Sequence, residues 1–346
     1  MIIILIGMVN AATLYVNQSH PSCNDAYNRG NASNIDTPWC EWDTLATASH
    51  IGDGDVVYMI EGNYNDNYGI EIDLGGVSTN WTLTNYQGGQ VNISSYAPAY
   101  AVVDNGLWQK ISAVFGEPNT WNTTYAALST SQPIIQFANG SEFINSECWN
   151  ATGCGTAEPA YFIMYDQFYR VWANDTSNEI RVKMIAGENP NNVSLMIAEE
   201  ANSIRLRNGN PSGFIKIANL TFQFHRRALR ITNCSNLIIE HYNFDEGHQA
   251  LHFDEAPTGG SSIRFNDIWG HHGLNFYEVF IKNAYEESDP FYGAMNSPGA
   301  AYIYNNTFHD TVGGISTQSD DPTDACGSEV YNNLFNNRNY AVNQFT

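Results

Sequence analysis

Residues 215–222 read IKIANLTF, a strand-like run that ends in Asn219 and is closed three residues later by Phe222. The same text returns as LIIEHYNF (237–244), SIRFNDIW (262–269), AYIYNNTF (301–308) and SEVYNNLF (328–335). Each closing aromatic is followed seven positions later by an apolar residue, in the pairs Phe222 and Leu229, Phe244 and Leu251, Trp269 and Phe276, Phe308 and Ile315, and Phe335 and Val342. A strand-like sequence motif that recurs with the same internal spacing predicts a solenoid.

The spacing of the repeats indicates how the solenoid is built. The closing aromatic recurs after 22, 25, 39 and 27 residues, so each coil has a little over twenty residues and room for two or three short strands. The longest interval contains an insertion at about 277–300. Strands of neighbouring coils pair about 4.8 Å apart, so residues at equal distance from the aromatic form a column along one side. The sequence therefore predicts an all-β fold, a parallel β-helix.

Asparagine recurs at or near the ends of the strand runs. Such residues can hydrogen-bond to one another from coil to coil along a turn. We therefore predict an asparagine ladder formed by Asn219, Asn243, Asn266, Asn306 and Asn333.

The N-terminal text gives the solenoid a first coil. Residues 38–63 read PWCEWDTLATASHIGDGDVVYMIEGN, in which an amphipathic helical run at about 42–50 leads into a strand. A helix there can cover the apolar end of a solenoid. The segment resembles the opening of the pectin lyase-like proteins, and this resemblance implies a right-handed parallel β-helix with a short N-terminal capping helix.

Between the first coil and the regular coils the sequence is less periodic. Residues 76–100 read as a second rung, and about 101–160 as an irregular insertion. Residues 169–192 resemble a segment of secreted β-helix glycosidase-like proteins in which a β-hairpin precedes the regular coils. The predicted organisation is a signal peptide (1–11), a cap with the first rung (12–75), early rungs with the insertion and hairpin (76–212), and regular coils (213–346).

Several features predict an extracellular chain. The apolar run 2–8, followed by Val9-Asn10-Ala11, is typical of a secretory signal, although no Lys or Arg precedes it. No later stretch approaches the roughly 18 apolar residues that span a bilayer. Asn-Xaa-Ser/Thr sequons, which are glycosylation acceptors in secreted proteins, occur at Asn17, Asn31, Asn80, Asn92, Asn122, Asn139, Asn150, Asn174, Asn192, Asn219, Asn233 and Asn305.

The six cysteines fit an oxidising compartment. We expect one disulfide between Cys23 and Cys40 and another between Cys148 and Cys154. Cys234 either pairs with the sixth cysteine, Cys326, or is buried as a small apolar residue.

The formal net charge of −22 argues against a nucleic-acid partner, whose binding needs clustered Lys and Arg. It also disfavours polyanionic glycans unless a cation bridges the two. The chain stops inside the second strand of a coil, so we expect further chain or another molecule to cover that end.

The six positions after each closing aromatic are predicted to form a turn between two strands, and they are rich in histidine and arginine. Five of the nine histidines fall there. A solvated turn has no packing need for histidine, so the concentration indicates a site. The candidate ligand-contacting residues are His225, Arg226, Arg227, His248, His272, His309 and Arg338.

Carboxylates in the same turns indicate a catalytic pair. The second position after the aromatic reads Phe224, Glu246, His271, Asp310 and Asn337 in successive coils. Glu246 and Asp310 are then two coils apart, about 9.6 Å by strand spacing. Inverting glycosidases hold their acid and base about 6.5–9.5 Å apart, so side-chain lean brings the pair into range. Asp245 with Asp310 is the second-choice pair, and His271 lies between the acids.

Residues 270–274, GHHGL, resemble the Gly-His-Gly motif of the polygalacturonase family, in which an Asp-Asp pair lies about one coil upstream. Asp245-Glu246 stands in that place here. The resemblance implies a catalytic role for His271 and the two acids, although the second aspartate and the family's Arg-x-Lys are absent.

The predicted function is a secreted carbohydrate-active protein, a glycoside hydrolase that binds a polysaccharide along these turns without a cofactor. One alternative is a non-catalytic adhesin or surface-layer component that binds a cell-surface glycan. Another is a uronate lyase or epimerase, in which Arg226, Arg227, His225 and His248 would act with Ca²⁺. The spacing of His271, His272 and His309 matches no short metal motif, so no metal site is predicted. Trp269, Tyr277, Phe291 and Tyr292 are aromatic residues that can stack on sugar rings.

Overall fold

The computed structural model of the chain describes the following residues: 11–65, 69–94, 108–111, 120–124, 134–137, 143–144, 146–148, 170–174, 179–184, 189–192, 195–198, 203–254, 260–269, 279–283, 301–309, 313–319, 329–336 and 340–345. Its secondary structure in these ranges consists of strands and three short 3₁₀ helices.

The first strands are β1 (Thr13–Val16), β2 (Val56–Met59), β3 (Gly62–Asn65), β4 (Ile70–Asp73), β5 (Trp81–Asn85) and β6 (Val91–Ser94). A long excursion then carries β7 (Gln109–Lys110), β8 (Thr120–Thr124), β9 (Ile134–Phe137), β10 (Phe143–Ile144), β11 (Ser146–Cys148), β12 (Arg170–Asn174), β13 (Glu179–Lys183) and β14 (Leu195–Ala198). The later strands are β15 (Ile204–Arg207), β16 (Ile215–Ala218), β17 (Thr221–Thr232), β18 (Leu237–Glu240), β19 (Asn243–Phe253), β20 (Ser262–Arg264), β21 (Asp267–Trp269), β22 (Val279–Asn283), β23 (Tyr302–Tyr304), β24 (Thr307–His309), β25 (Gly313–Ser319), β26 (Glu329–Tyr331), β27 (Leu334–Asn336) and β28 (Tyr340–Phe345).

These strands stack into a parallel β-helix with three faces. Face 1 is the eight-stranded sheet β1-β2-β5-β16-β18-β20-β23-β26. Face 2 runs from β3 and β6 through the first part of β17 and of β19 to β21, β24 and β27. Face 3 runs from β4 and β15 through the second part of β17 and of β19 to β22, β25 and β28. From β2 onward, each coil thus contributes one strand segment to each face.

The core is built from columns of identical inward positions. On face 1, Ile217, Ile239, Ile263 and Ile303 lie in register and are fully buried. On face 2, Phe222 pairs with Phe244 at a ring distance of 5.6 Å, and Phe308 with Phe335 at 4.8 Å. Burying an aromatic side chain of this kind contributes about 2–3 kcal/mol. The closing aromatic is therefore an inward residue in these four coils.

The corner between faces 1 and 2 is a tight turn with one left-handed residue per coil. Backbone φ angles are 58° at Asn219, 58° at His241, 56° at Phe265, 55° at Asn305 and 54° at Asn332. Asparagine is one of the few non-glycine residues that adopt this conformation readily, because its side chain can bond locally. The asparagine at this position in three of the five coils reflects this turn.

The asparagine ladder is present in the last three coils. Asn266, Asn306 and Asn333 are linked: the Asn306 Nδ2 donates to Asn333 Oδ1 at 3.0 Å, and the Asn266 Nδ2 donates to Asn306 Oδ1 at 2.9 Å. Two predicted members are wrong. The ladder position in the preceding coil is Tyr242, whose backbone N–H donates to Asn266 Oδ1, so Asn243 lies one residue beyond it. Asn219 occupies the left-handed corner instead.

The N-terminal segment contains two 3₁₀ helices, Trp42–Ala46 and Ala48–His50, where a single helical run was predicted; the third 3₁₀ helix, Pro190–Asn192, lies in the excursion. Trp42–Ala46 packs against β4 with its Trp and Leu side chains buried. Its capping role and the right-handed sense of the coils remain predictions. The predicted Cys23–Cys40 disulfide is confirmed.

Cys234 is buried, and its thiol donates to the Thr232 carbonyl oxygen at 3.4 Å, as the second of its predicted alternatives requires. Cys154 and Cys326 lie outside the described residues, as does the signal segment 2–8.

The register corrects one of the five sequence pairs. Ile268, and not Trp269, lies between Phe244 and Phe308 in the inward column. On face 3, Val279 pairs with Leu251 and Ile315 and takes the register position that was predicted for Phe276, which lies outside the described residues. The insertion nevertheless adds no extra coil, because β20, β21 and β22 pair directly with β23, β24 and β25.

Candidate functional site

The predicted site falls where face 2 meets face 3, and we call this corner the ridge: residues 223–228, residues 245–250 and their counterparts in the other coils. The prediction that it is a turn is wrong in two coils. β17 and β19 continue as strands from face 2 through the ridge into face 3. Ala228 and Leu229 are both buried, as are Ala250 and Leu251. Two adjacent inward residues break the alternation of a strand, so the chain changes face there while staying extended.

Six of the predicted site residues lie on the ridge strands of two adjacent coils. His225, Arg226 and Arg227 belong to β17, and Asp245, Glu246 and His248 to β19. In register, Gln223 pairs with Asp245, His225 with Gly247 and Arg227 with Gln249. The backbone therefore brings these residues into neighbouring strands, as the phase of the repeat predicts.

The column through Asp245 continues across two more coils. Asp245 pairs with Trp269, and Trp269 pairs with His309. Two strand spacings, about 9.6 Å, therefore separate Asp245 from His309. Glu246 follows Asp245 in the sequence, and Asp310 follows His309. Asp310, His271, His272 and Arg338 lie outside the described residues, as do Tyr277, Phe291 and Tyr292.

The register changes how the sequence positions of one coil are counted. Because Ile268 is the inward residue of its coil, the residue two positions on is Gly270 and not His271. The chain from Trp269 to Val279 is also longer than the equivalent segment in the neighbouring coils. Counted from the inward residue of its coil, His271 is three positions on, whereas Glu246 and Asp310 are two positions on from theirs. The roles of all three residues stay predictions.

The long excursion leaves and rejoins the solenoid at the ridge. It departs after β6, which pairs with residues 221–223 of β17, and returns at β15, which pairs with residues 229–232. Its strands form a three-stranded antiparallel sheet, β10-β9-β14, and a five-stranded sheet, β11-β12-β13-β8-β7. β9 and β14 contact β17. The excursion thus places a second sheet beside the ridge at the coil where the predicted site begins.

Beyond the ridge, face 3 carries a compact polar cluster that the sequence did not reveal. The Arg230 Nε donates to both Asp254 carboxylate oxygens, at 3.0 and 2.8 Å, and the Thr232 hydroxyl donates to the same group at 2.5 Å. His252 Nε2 lies 3.2 Å from Asp254 Oδ1. Burial raises the pKa of Asp254, but the hydrogen bonds from His252, Arg230 and Thr232 outweigh burial and hold the pKa well below its usual range.

The same face continues as a row of ion pairs toward the N-terminus. Arg205 and Arg207 both contact the Glu71 carboxylate, at 3.1 and 2.6 Å, and the Arg207 Nε lies 3.9 Å from Asp73. Arg205 pairs with Arg230 in register. Three of the chain's 14 basic residues thus stand on adjacent strands immediately beside the ridge.

Sequence reasoning missed this cluster because Arg230, His252 and Asp254 come after the second apolar residue of each pair, where a plain outward strand was expected. The available signal was the alternation Leu251-His252-Phe253-Asp254, which puts two polar groups between core residues. Among the described residues no group of three or more His, Cys, Asp or Glu is arranged to hold a metal ion. The helices in the described ranges are all too short to cross a bilayer.

No protein-family model and no curated protein sequence matches the chain. In the comparison of three-dimensional structures, three chains match. One is the complex structure of XylC with xylose, to which the chain is similar with a TM-score of 0.48 and 11% sequence identity. The match covers 95% of this chain and 63% of that chain, so this chain spans less than two thirds of the length of XylC.

Proposed function

We propose that the protein is a secreted, carbohydrate-active β-helix that hydrolyses a polysaccharide bound along the ridge. The observation that carries the proposal is the register of Asp245, Trp269 and His309. Glu246 follows Asp245 and Asp310 follows His309 in the sequence, and the proposal puts these two acids two coils apart on one side of the solenoid. Strands two coils apart are separated by about 9.6 Å, and side-chain lean can bring two carboxyl groups to the roughly 6.5–9.5 Å at which an inverting acid and base hold a sugar and a water molecule between them.

The reaction is an inverting hydrolysis. One carboxylic acid protonates the glycosidic oxygen as its bond to the anomeric carbon breaks. The other carboxylate takes a proton from a water molecule, whose oxygen bonds to that carbon from the opposite side. Asp245, adjacent to Glu246, is the second choice for either role. The antiparallel sheet beside β17 supplies a wall against which a chain of sugars can lie, and the disulfide fits an oxidising, extracellular compartment.

The test combines two variants with product analysis. Glu246→Gln and Asp310→Asn are each expected to reduce release of reducing sugars from neutral polysaccharides by about 10²–10⁴-fold. Glu329→Gln, an exposed glutamate on face 1, is the matched control and should retain activity. Proton NMR of the first product should show inversion at the anomeric carbon. Retention of configuration, or full activity in both variants, would contradict the assignment. Binding without hydrolysis in the unaltered protein would favour the adhesin alternative.

A second candidate function, a uronate lyase, is favoured by the arginines of face 3. Arg205, Arg207 and Arg230 can neutralise sugar carboxylates. In the free protein, however, Glu71, Asp73 and Asp254 already contact them, so a uronate must displace these partners or bind with a cation. Incubation with polyuronates, with and without Ca²⁺, distinguishes the two reactions because a lyase product absorbs ultraviolet light and a hydrolysis product does not.

A further inference from the structure

The corner between faces 1 and 2, on another side of the solenoid from the ridge, carries a continuous row of aromatic rings. His241 and Phe265 stack at 5.3 Å, Phe265 and Tyr304 meet edge to face at 6.1 Å, and Tyr304 and Tyr331 stack at 5.0 Å. The four residues come from four successive coils, so the row extends about 14 Å along the solenoid. We call it the aromatic rail.

Phe265 is the residue of the rail that stability alone does not explain. Its φ angle of 56° lies in the left-handed region, which is strained for a bulky side chain. The equivalent residues in the two following coils are Asn305 and Asn332, which suit that conformation. The Phe265 ring is also 45% exposed, so it adds little to the core. An exposed apolar side chain on a strained backbone indicates a contact with something outside the chain.

The polar groups beneath the rail are satisfied by one another. Lys216 Nζ lies 2.5 Å from Glu240 Oε1, and the Arg264 Nε lies 2.7 Å from Glu240 Oε2. Arg264 also donates to the Tyr304 hydroxyl at 2.9 Å. Burial raises the pKa of Glu240, but the bonds from Lys216 and Arg264 lower it further than burial raises it, so the carboxylate stays charged and paired. The network holds the rings in place and leaves little charge to attract an ionic partner.

From these observations we propose that the aromatic rail binds a neutral polysaccharide chain that lies parallel to the solenoid axis. Sugar rings present C–H groups on their faces and hydroxyls at their edges, which match aromatic carbon flanked by tyrosine hydroxyls and an imidazole. A polyanion is disfavoured by the net charge of −22. A stable protein partner is disfavoured by area. Phe265 and Tyr331 are 45% and 42% exposed, and an aromatic side chain has about 150–250 Å² in all, so the rail offers well under the roughly 800 Å² that one partner usually buries.

Phe265→Asn tests the rail without threatening the fold, because asparagine already occupies the equivalent corner position in the next two coils. The measurement is adsorption to microcrystalline cellulose, insoluble arabinoxylan, mannan and chitin, with the melting temperature recorded alongside. In the Glu246→Gln/Asp310→Asn background, which keeps the polymer intact, Phe265→Asn should weaken adsorption about tenfold. The melting temperature should stay constant or rise. Leu334→Asn, which removes a 64% exposed leucine outside the rail, is the matched control and should bind normally.

Each other outcome overturns the proposal. Equal adsorption by Phe265→Asn and Leu334→Asn would show that the rail does not bind the polymer. A lower melting temperature in Phe265→Asn would show that the ring has a structural role. Failure of the unaltered protein to adsorb to any of the four polymers, or a dimer that Phe265→Asn dissociates, would assign the rail to another occupant. Adsorption that persists in Glu246→Gln/Asp310→Asn separates the rail from hydrolysis at the ridge, so either proposal can fail alone.

Discussion

Replacing Asn306 by Ala removes the central member of the asparagine ladder and tests whether the coils are locked in register there. The Asn306 Nδ2 donates to the Ile263 carbonyl and to Asn333 Oδ1, both at 3.0 Å. Its Oδ1 accepts from the backbone N–H of Asn266 at 3.0 Å and from the Asn266 Nδ2 at 2.9 Å. The residue is 1% exposed, so water cannot replace these partners.

The expected cost follows from the number of bonds. Each hydrogen bond contributes about 1 kcal/mol to stability, and a buried group left without a partner costs about as much again or more. Four lost bonds at about 1 kcal/mol each therefore give a decrease of at least about 3–4 kcal/mol in the free energy of unfolding, to which the unpaired buried groups add. Urea unfolding followed by fluorescence measures the decrease as a lower midpoint at constant slope.

Asn243→Ala is the control for this prediction, because Asn243 is an exposed asparagine in the same repeated text that lies outside the ladder. It should change the free energy of unfolding by less than about 0.5 kcal/mol. If Asn306→Ala were no more harmful than Asn243→Ala, the ladder would not connect the coils and the reasoning would be refuted.

Three further outcomes are expected. Asp254→Asn should lower the free energy of unfolding by about 2 kcal/mol at pH 7. It should also make the free energy of unfolding less dependent on pH in acid. The pKa of Asp254 is lower in the folded chain than in the unfolded chain, so the ionised carboxylate stabilises the fold above pH about 4. That stabilisation is lost as the pH falls toward the pKa of the folded chain. Urea unfolding between pH 3 and 7 tests this, and an unchanged pH profile would contradict it. The double substitution Cys23→Ser/Cys40→Ser opens a loop with a sequence separation of 17 and should lower the free energy of unfolding by about 3 kcal/mol relative to the oxidised protein. The reduced unaltered protein is the control, and its free energy of unfolding should equal that of the double variant. Phe244→Ala should cost about 3–5 kcal/mol in urea unfolding, and a loss below 1 kcal/mol would mean that the inward aromatic column is not close-packed.

The architecture could be predicted because the solenoid repeats its chemistry at each coil. Phe222, Phe244, Phe308 and Phe335 occupy the same inward position, and so their spacing in the sequence reports the pairing of strands directly. Ile268 departs from the pattern, because an aliphatic residue fills the column there and the neighbouring Trp269 mimics the closing aromatic in the sequence. A one-residue error of this kind changes which residues share an offset, since side chains alternate along a strand.

The site was predicted less completely, and the reasons are physical. The ridge residues of β17 and β19 are polar, and polar runs between apolar ones favour a turn in any local interpretation. Their strand conformation comes from pairing with the neighbouring coils, which local sequence does not report. The Arg230–Asp254 cluster and the aromatic rail likewise arise only when coils are stacked. Phe265 was nonetheless visible as an aromatic residue where the following coils have asparagine.

The most direct test of the central claim is the distance between positions 246 and 310. Cysteines introduced by Glu246→Cys/Asp310→Cys should react efficiently with a rigid bifunctional thiol reagent that spans about 10 Å, because the account puts these positions two strand spacings apart. A matched pair, Glu246→Cys/Glu329→Cys, places the second thiol on face 1 and should not be bridged. Mass spectrometry counts the bridged molecules. Efficient bridging of the first pair alone is the predicted result, and equal yields for the two pairs would contradict the account.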